Sequence, residues 1–285
     1  MKKFFKIFVF LFLGLNCTFA QKIDSTQEIS DNYDIRVKPL SKKGQMFVFW
    51  GWNRAAFSNA DIHFKGNGYD FTLENIVAHD RPTEFGFDYI NPKWFTVVQF
   101  NFRIGYFLKD NLALVVGTDH MKQVMDQEQI AKFSGNISDP VYANMVQNGY
   151  VNLADAEFLT FEHTDGLNYV NAGLEKYKSL YSKKNVDIVW SYGAGTGVMF
   201  PKSNVKLFGN ERSDRFHVAG FGVDARTNIN FVFWNHWMAR IEAKAGYINM
   251  FDIKTTLNNK PDKALQDFVF AQVNFGVGYT FKTKK

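Results

Sequence analysis

The sequence predicts an all-β protein, an antiparallel up-and-down barrel of about eight strands that spans a membrane. Three observations predict it. From Met46 onward the hydrophobic period is two, the second face of the best runs carries charged and amide side chains, and the gaps between runs alternate strictly between short and long. That combination of period, polar inner face and gap pattern is the sequence signature of a transmembrane β-barrel. Composition agrees with it. The chain of 285 residues is 46% hydrophobic with 31 Phe and 6 Pro, which leaves no room for wholesale disorder. With 21% charged residues and a mean hydropathy of −0.24 it is too polar for a bundle of membrane helices. Past the N-terminus no uncharged apolar run approaches the roughly 18 residues that a spanning helix needs.

The elements follow in order. Residues 1–6 (MKKFFK) form a basic region and residues 7–15 an apolar one, and Thr18-Phe19-Ala20 places small residues where a signal peptidase reads. Cleavage is expected after Ala20, so residues 1–20 are a signal peptide and the mature chain starts at Gln21. Cys17 leaves lipidation as an alternative, although Asn16 is a poor residue before a lipidated Cys. The leader contains Lys2, Lys3 and Lys6 and no acid, so its removal takes the net charge from +5 to +2. The apparent basicity is therefore partly an export signal, and no Lys/Arg cluster interleaved with aromatics marks nucleic-acid binding. Cys17 is the single Cys, so a mature chain without it has no disulfide, thiolate metal site or Cys nucleophile. Residues 21–44 are polar and aperiodic and read as a flexible periplasmic arm, with the barrel occupying 45–285.

Candidate strands cover 46–57, 96–108, 111–122, 166–180, 186–199, 216–232, 237–250 and 267–281. In the seventh, Ala239, Ile241, Ala243 and Ala245 alternate with Arg240, Glu242 and Lys244. In the sixth, Phe221, Val223, Ala225, Ile229 and Phe231 alternate with Asp224, Arg226, Asn228 and Asn230. Three gaps are tight (109–110, 182–185 and 233–236), and the others, 58–95, 123–165, 200–215 and 251–266, are long. Trp234, Trp237 and Tyr279 fall near the tight turns, while Trp50, Trp52 and Trp94 fall toward the first long loop, as two interfacial aromatic girdles would.

A barrel of this size is just wide enough for side chains to fill it. The inferred interior holds Arg103, Glu175, Asp224, Arg226, Arg240, Glu242 and Lys244, with Asp119 near the upper rim, four basic groups balancing four acidic ones. Buried charges must be paired, so an ion-pair network that plugs the barrel is expected. This argues against a general porin and leaves a gated narrow channel as an alternative. Gly193, Gly195 and Gly197 follow the period of two and read as small residues that admit large neighbours inside the barrel.

The last strand resembles an outer-membrane assembly signal, with Asn274, Gly276, Tyr279 and Phe281 alternating toward the end, although four residues (KTKK) follow Phe281. Leader, strand number and loop pattern together are similar to the small outer-membrane barrels, a group that includes OmpA-like and OmpW-like proteins and the lipid A deacylases. The Gln start and Asn-rich loops look like those of Bacteroidota. The resemblance implies an outer-membrane location, outer-membrane lipids and lipopolysaccharide as surroundings, and the outer-membrane assembly machinery as a partner. An envelope protein partner is left open.

No P-loop, dinucleotide fingerprint, Gly-x-Ser-x-Gly elbow or His-Glu-x-x-His motif occurs. One constellation has catalytic residue types: Asp119 and His120 end the third strand, and Glu162, His163 and Asp165 precede the fourth. His163 with Asp119 or Asp165 could act as a general base on lipid esters at the rim. In the lipid A deacylases a His-x-Ser triplet precedes Asn-Ala. Asn171-Ala172 is similar to that ending, but Asn168 and Val170 then stand where the His and Ser belong. Taking His163 instead puts Asp165 in the nucleophile's place, leaving a water-activating His–Asp pair or a distant Ser134 or Ser138. Loop one carries Asp61, His63, Asp70, His79, Asp80 and Asp88, with strand-like alternation at 69–77, and its acids could hold Ca²⁺, whose ligands are oxygens. No other cofactor is expected. The lead expectation is a structural or binding role carried by the long loops, with the rim hydrolase and the narrow channel as alternatives.

Overall fold

The computed structural model describes residues 43–84, 86–89, 98–213, 215–257 and 261–282. The expected leader, nearly all of the expected arm and Trp94 lie outside the described residues. Among the described residues there are seventeen strands: β1 Gln45–Phe57, β2 Ala60–Gly66, β3 Tyr69–Ile76, β4 Ala78–Asp80, β5 Phe100–Lys109, β6 Leu112–Met121, β7 Gln123–Met125, β8 Ile130–Ile137, β9 Val146–Gln147, β10 Tyr150–Asn152, β11 Leu159–Glu162, β12 Leu167–Lys183, β13 Val186–Met199, β14 Asn204–Leu207, β15 Gly220–Phe233, β16 Trp237–Lys254 and β17 Lys263–Lys282.

Eight of them close a barrel in the order β1-β5-β6-β12-β13-β15-β16-β17, and β17 pairs back onto β1 from Gln45↔Lys282 to Phe57↔Phe270. All neighbours are antiparallel, and these are the eight strands expected from the sequence. The tight connections are Asp110-Asn111, Lys184-Asn185 and 234–236. Lys184, Trp234 and Asn235 adopt the left-handed backbone that closes such turns. The strands differ from expectation mainly at the loop end. β16 and β17 run further, to Lys254 and from Lys263, because the start of β17 leaves β1 and pairs with β2 instead, from Lys263↔Lys65 to Gln266↔Ile62. A pairing partner within a long loop is invisible to hydrophobic period.

The outward faces form an apolar belt that includes Val116, Leu174, Val198, Val223, Ile241, Val273, Phe275 and Val277, all exposed. A contiguous apolar surface of this size is unusual on a soluble monomer. At the tilt usual for such barrels, about 40°, the 14 residues of β15 would cover roughly 33 Å along the barrel axis, enough for the hydrocarbon layer of a bilayer.

Three of the long loops do not remain loops. β2, β3, β8, β10 and β9 extend the barrel sheet beyond its rim, and β4, β7, β11 and β14 form a second, four-stranded sheet. Phe64, Phe71, Phe158, Phe161, Leu207 and Ile62 are buried together, in one cluster that continues into the barrel mouth through Met199, Ile248 and Phe270. At the opposite, turn end a second cluster of Phe47, Phe49, Phe107, Val115, Val189 and Met238 fills the interior. The barrel is thus packed in three layers: apolar at the turn end, charged in the middle, apolar again at the mouth.

Candidate functional site

The charges of the middle layer stand on the inward columns of five strands. Alternation puts Arg103 on β5, Asp119 on β6, Glu175 on β12, Asp224 and Arg226 on β15, and Arg240, Glu242 and Lys244 on β16, all nearly inaccessible to solvent. The ion pairs cross the interior as well as joining neighbours. Arg103 Nη2 reaches Asp119 and, at 3.4 Å, Glu242. Lys244 Nζ bonds Asp119 and lies 3.7 Å from Asp224. Arg240 Nη2 lies 3.3 Å from Glu175, and Arg226 Nη1 lies 3.8 Å from it. Arg226 Nε donates to Asp224 at 2.8 Å.

Neutral donors complete the carboxylates. Tyr177 donates to Glu175 at 2.7 Å, Tyr169 to Asp224 at 2.9 Å, Asn274 to Glu242 at 2.6 Å and Asn171 to Asp119 at 3.0 Å. The cations also lie over ring faces, Arg240 5.2 Å from the centroid of Phe47 and Lys244 4.9 Å from that of Tyr169. Room for these long side chains comes from glycines on the facing strand. Gly117 lies opposite Arg103, and a Cβ there would fall 2.7 Å from Arg103 Cδ. Gly195 lies opposite Asp224, and a Cβ there would fall 2.6 Å from Arg226 Nη2.

At the loop end the structure does not bring His163 together with Asp119 or Asp165. His163, on the connection from β11 to β12, is fully buried and its Nδ1 faces Ser203 Oγ at 2.7 Å. Burial lowers its pKa to about 4, so the ring is neutral near pH 7. Asp119 is turned into the barrel and held by Arg103 and Lys244, because odd positions of β6 face inward. Asp165 is half-exposed and pairs with Lys202 at 3.1 Å and Arg212 at 3.5 Å. His120 stacks on Phe100 and bonds Asn168 Oδ1 at 2.8 Å. A Ser–His hydrogen bond is a pairing that acyl transfer uses, and among the described residues no carboxylate is bonded to His163. Ser203, 40 residues from His163 and in another loop, gave the sequence no signal.

Three of the loop-one acids have protein partners. Asp61 accepts from Asn75 N at 2.7 Å, Asp70 pairs with His63 at 2.6 Å, and Asp80 accepts from Gln99 at 2.6 Å. Burial raises the Asp80 pKa. Among the described residues no three His, Cys, Asp or Glu side chains are grouped to hold a metal ion. Of the terminal motif, Asn274 and Gly276 face inward and Tyr279 and Phe281 outward, with Trp237 packed edge-on against Tyr279 at 5.1 Å.

No family model matches the chain, and no curated protein matches it. Among solved structures it is similar to the outer membrane protein AlkL in lipid bilayers (TM-score 0.39, 11% identity, covering 93% of this chain and 99% of that one). It is also similar to the outer membrane protein OprG from Pseudomonas aeruginosa (TM-score 0.38, 8% identity, 85% and 98%) and to the outer membrane protease OmpT from Escherichia coli (TM-score 0.35, 10% identity, 85% and 98%). All three are outer-membrane proteins.

Proposed function

We propose that the chain is an outer-membrane barrel that does not conduct and whose role, structural or binding, is exercised by the folded head at its loop end. The tight turns then face the periplasm and the head faces outward. The observation that carries this reading is the continuous packing of the interior. Two apolar layers enclose a layer of mutually paired charges, and the upper apolar layer is the same cluster that holds the head together. A head built on two sheets over a rigid barrel offers an ordered surface for recognition, and exposed loops on a rigid scaffold commonly carry binding.

Both alternatives find less support. A channel needs a wet path, and each lumenal charge is instead engaged by another. A rim hydrolase needs a substrate within reach of its base, and His163 is enclosed. The test pairs two measurements on protein whose folding is verified by heat-modifiable gel mobility. In planar bilayers the wild type is expected to add no conductance. Lipid A mass spectra of cells expressing wild type or His163→Ala are expected to coincide. Discrete conductance steps, or an acyl loss that depends on His163, would overturn the proposal.

A further inference from the structure

The turn end carries a charge asymmetry that neither the packing nor the head explains. Lys109, Lys176, Lys178, Lys183, Lys184 and Lys282 all lie there, all exposed, and none has an ion-pair partner among the described residues. Two described acids lie at this end. Asp187 is turned inward and bound by Ser182 Oγ at 2.5 Å, and Asp110 sits in the β5–β6 turn beside the backbone of Lys43.

Four of the six lysines belong to one hairpin, β12–β13, which projects past its neighbour. The last β6 partner of β12 is Leu112, opposite Lys176, so the end of β12 has only β13 beside it. On the outward column of β12, Val170, Ala172 and Leu174 give way to Lys176 and Lys178. Directly across on β13 stand Tyr192 and Trp190 respectively, with ring centroids 4.8 Å apart. The Trp190 ring is fixed by its Nε1 donating to Thr227 at 2.8 Å. Immediately below, a bulge between Ser179 and Tyr181 pushes Leu180 outward, 51% exposed, beside exposed Tyr181.

We infer that this hairpin is a binding site for net-anionic phospholipid of the leaflet on the turn side. Lys176 and Lys178 take the headgroup phosphate, Trp190 and Tyr192 sit at headgroup depth, and exposed Leu174, the next outward position toward the bilayer centre, covers the ester region. The inference rests on the barrel spanning a membrane as proposed above. Lipid is the occupant because the two lysines continue the lipid-facing column and are flanked by interfacial aromatics. A soluble acidic partner would need cations on a face turned to water. Selectivity for a net-anionic headgroup follows because the described outward positions of this hairpin beside Lys176 and Lys178 carry no carboxylate to receive a headgroup ammonium, and a cation near an anionic surface gains appreciably from each added charge.

The test uses the full chain in nanodiscs of phosphatidylethanolamine and phosphatidylglycerol in equal parts, followed by native mass spectrometry of retained lipid. Wild type is expected to retain phosphatidylglycerol over phosphatidylethanolamine. The Lys176→Gln/Lys178→Gln double variant should weaken that retention about tenfold or more, and Lys109→Gln/Lys282→Gln, on other strands, should preserve it. Retention without headgroup preference, an undiminished preference in the first variant, or an equal loss in the second would each overturn the site. Failure of the wild type to gain heat-modifiable mobility and protease protection in the nanodisc would instead overturn the membrane-spanning reading on which the site depends.

Discussion

Asp119 shows how much of this molecule depends on single carboxylates. It neutralises Arg103 and Lys244 at once and accepts from Asn101 and Asn171. Removing one partner of a buried pair leaves an uncompensated charge and costs about 3–5 kcal/mol. Asp119→Ala, which strands two cations, is expected to lower the unfolding free energy of the reconstituted barrel, read by urea titration, by at least that much, while the exposed Asp165→Ala should leave it almost unchanged. His163 sets a pH dependence of its own. Its folded pKa, about 4, lies below its ordinary value of 6.5. The unfolded chain therefore binds the proton first as pH falls. This group's contribution is full above about pH 6.5, declines through the interval down to about 4, and costs up to about 3 kcal/mol at the bottom. Limited proteolysis of the head as a function of pH should show a sensitivity over that interval that His163→Gln removes; an unchanged profile would refute the assignment. Neither effect could be foreseen in full from sequence. The inward parity of Asp119 is readable from β6, but the Ser203 partner of His163 comes from tertiary placement.

The eight barrel strands were legible because each is long enough for two periods to show at once. In β16, Ala239, Ile241, Ala243 and Ala245 declare the lipid face while Arg240, Glu242 and Lys244 declare the other. The head strands gave much weaker signals. β4, β7 and β11 have only three or four residues each, and β8 carries Gly135 at φ 122, which breaks its alternation. β3 alone was anticipated, from the alternation at 69–77. The one global hint was the number of Phe residues, more than a barrel belt needs; Phe64, Phe71, Phe158 and Phe161 belong to the head core. An expectation follows for the strand–strand fit inside the barrel. A Cβ at Gly117 would lie 2.1 Å from Phe102 O and 2.7 Å from Arg103 Cδ. Gly117→Val is expected to reduce refolding yield into detergent micelles severalfold. Ala172→Val, on the outward face of the neighbouring strand, should have little effect, and comparable losses in the two would count against the close-approach explanation.

At the scale of the whole molecule, head and barrel share a core yet differ in what holds them. The barrel has a closed hydrogen-bonded ring and a lipid-facing belt, whereas the head relies on side-chain burial around Phe71. Phe71→Ala should cost about 3–5 kcal/mol in the head. It is expected to make the head protease-sensitive on intact cells while leaving the heat-modifiable mobility of the barrel intact; simultaneous loss of both would show that they unfold as one unit. The closure of the ring has a further consequence, in time rather than in space. Gln45 meets Lys282, so the first strand must wait for the last, and the contact that seals the ring joins residues more than two hundred apart. Such non-local contacts form slowly, because most of the intervening chain must be ordered before they are rewarded. Until then the molecule is an unclosed curved sheet with two bare edges, β1 and β17, each able to pair with the wrong strand or another chain. Escort during that interval, rather than stability afterwards, is where such a chain is most vulnerable.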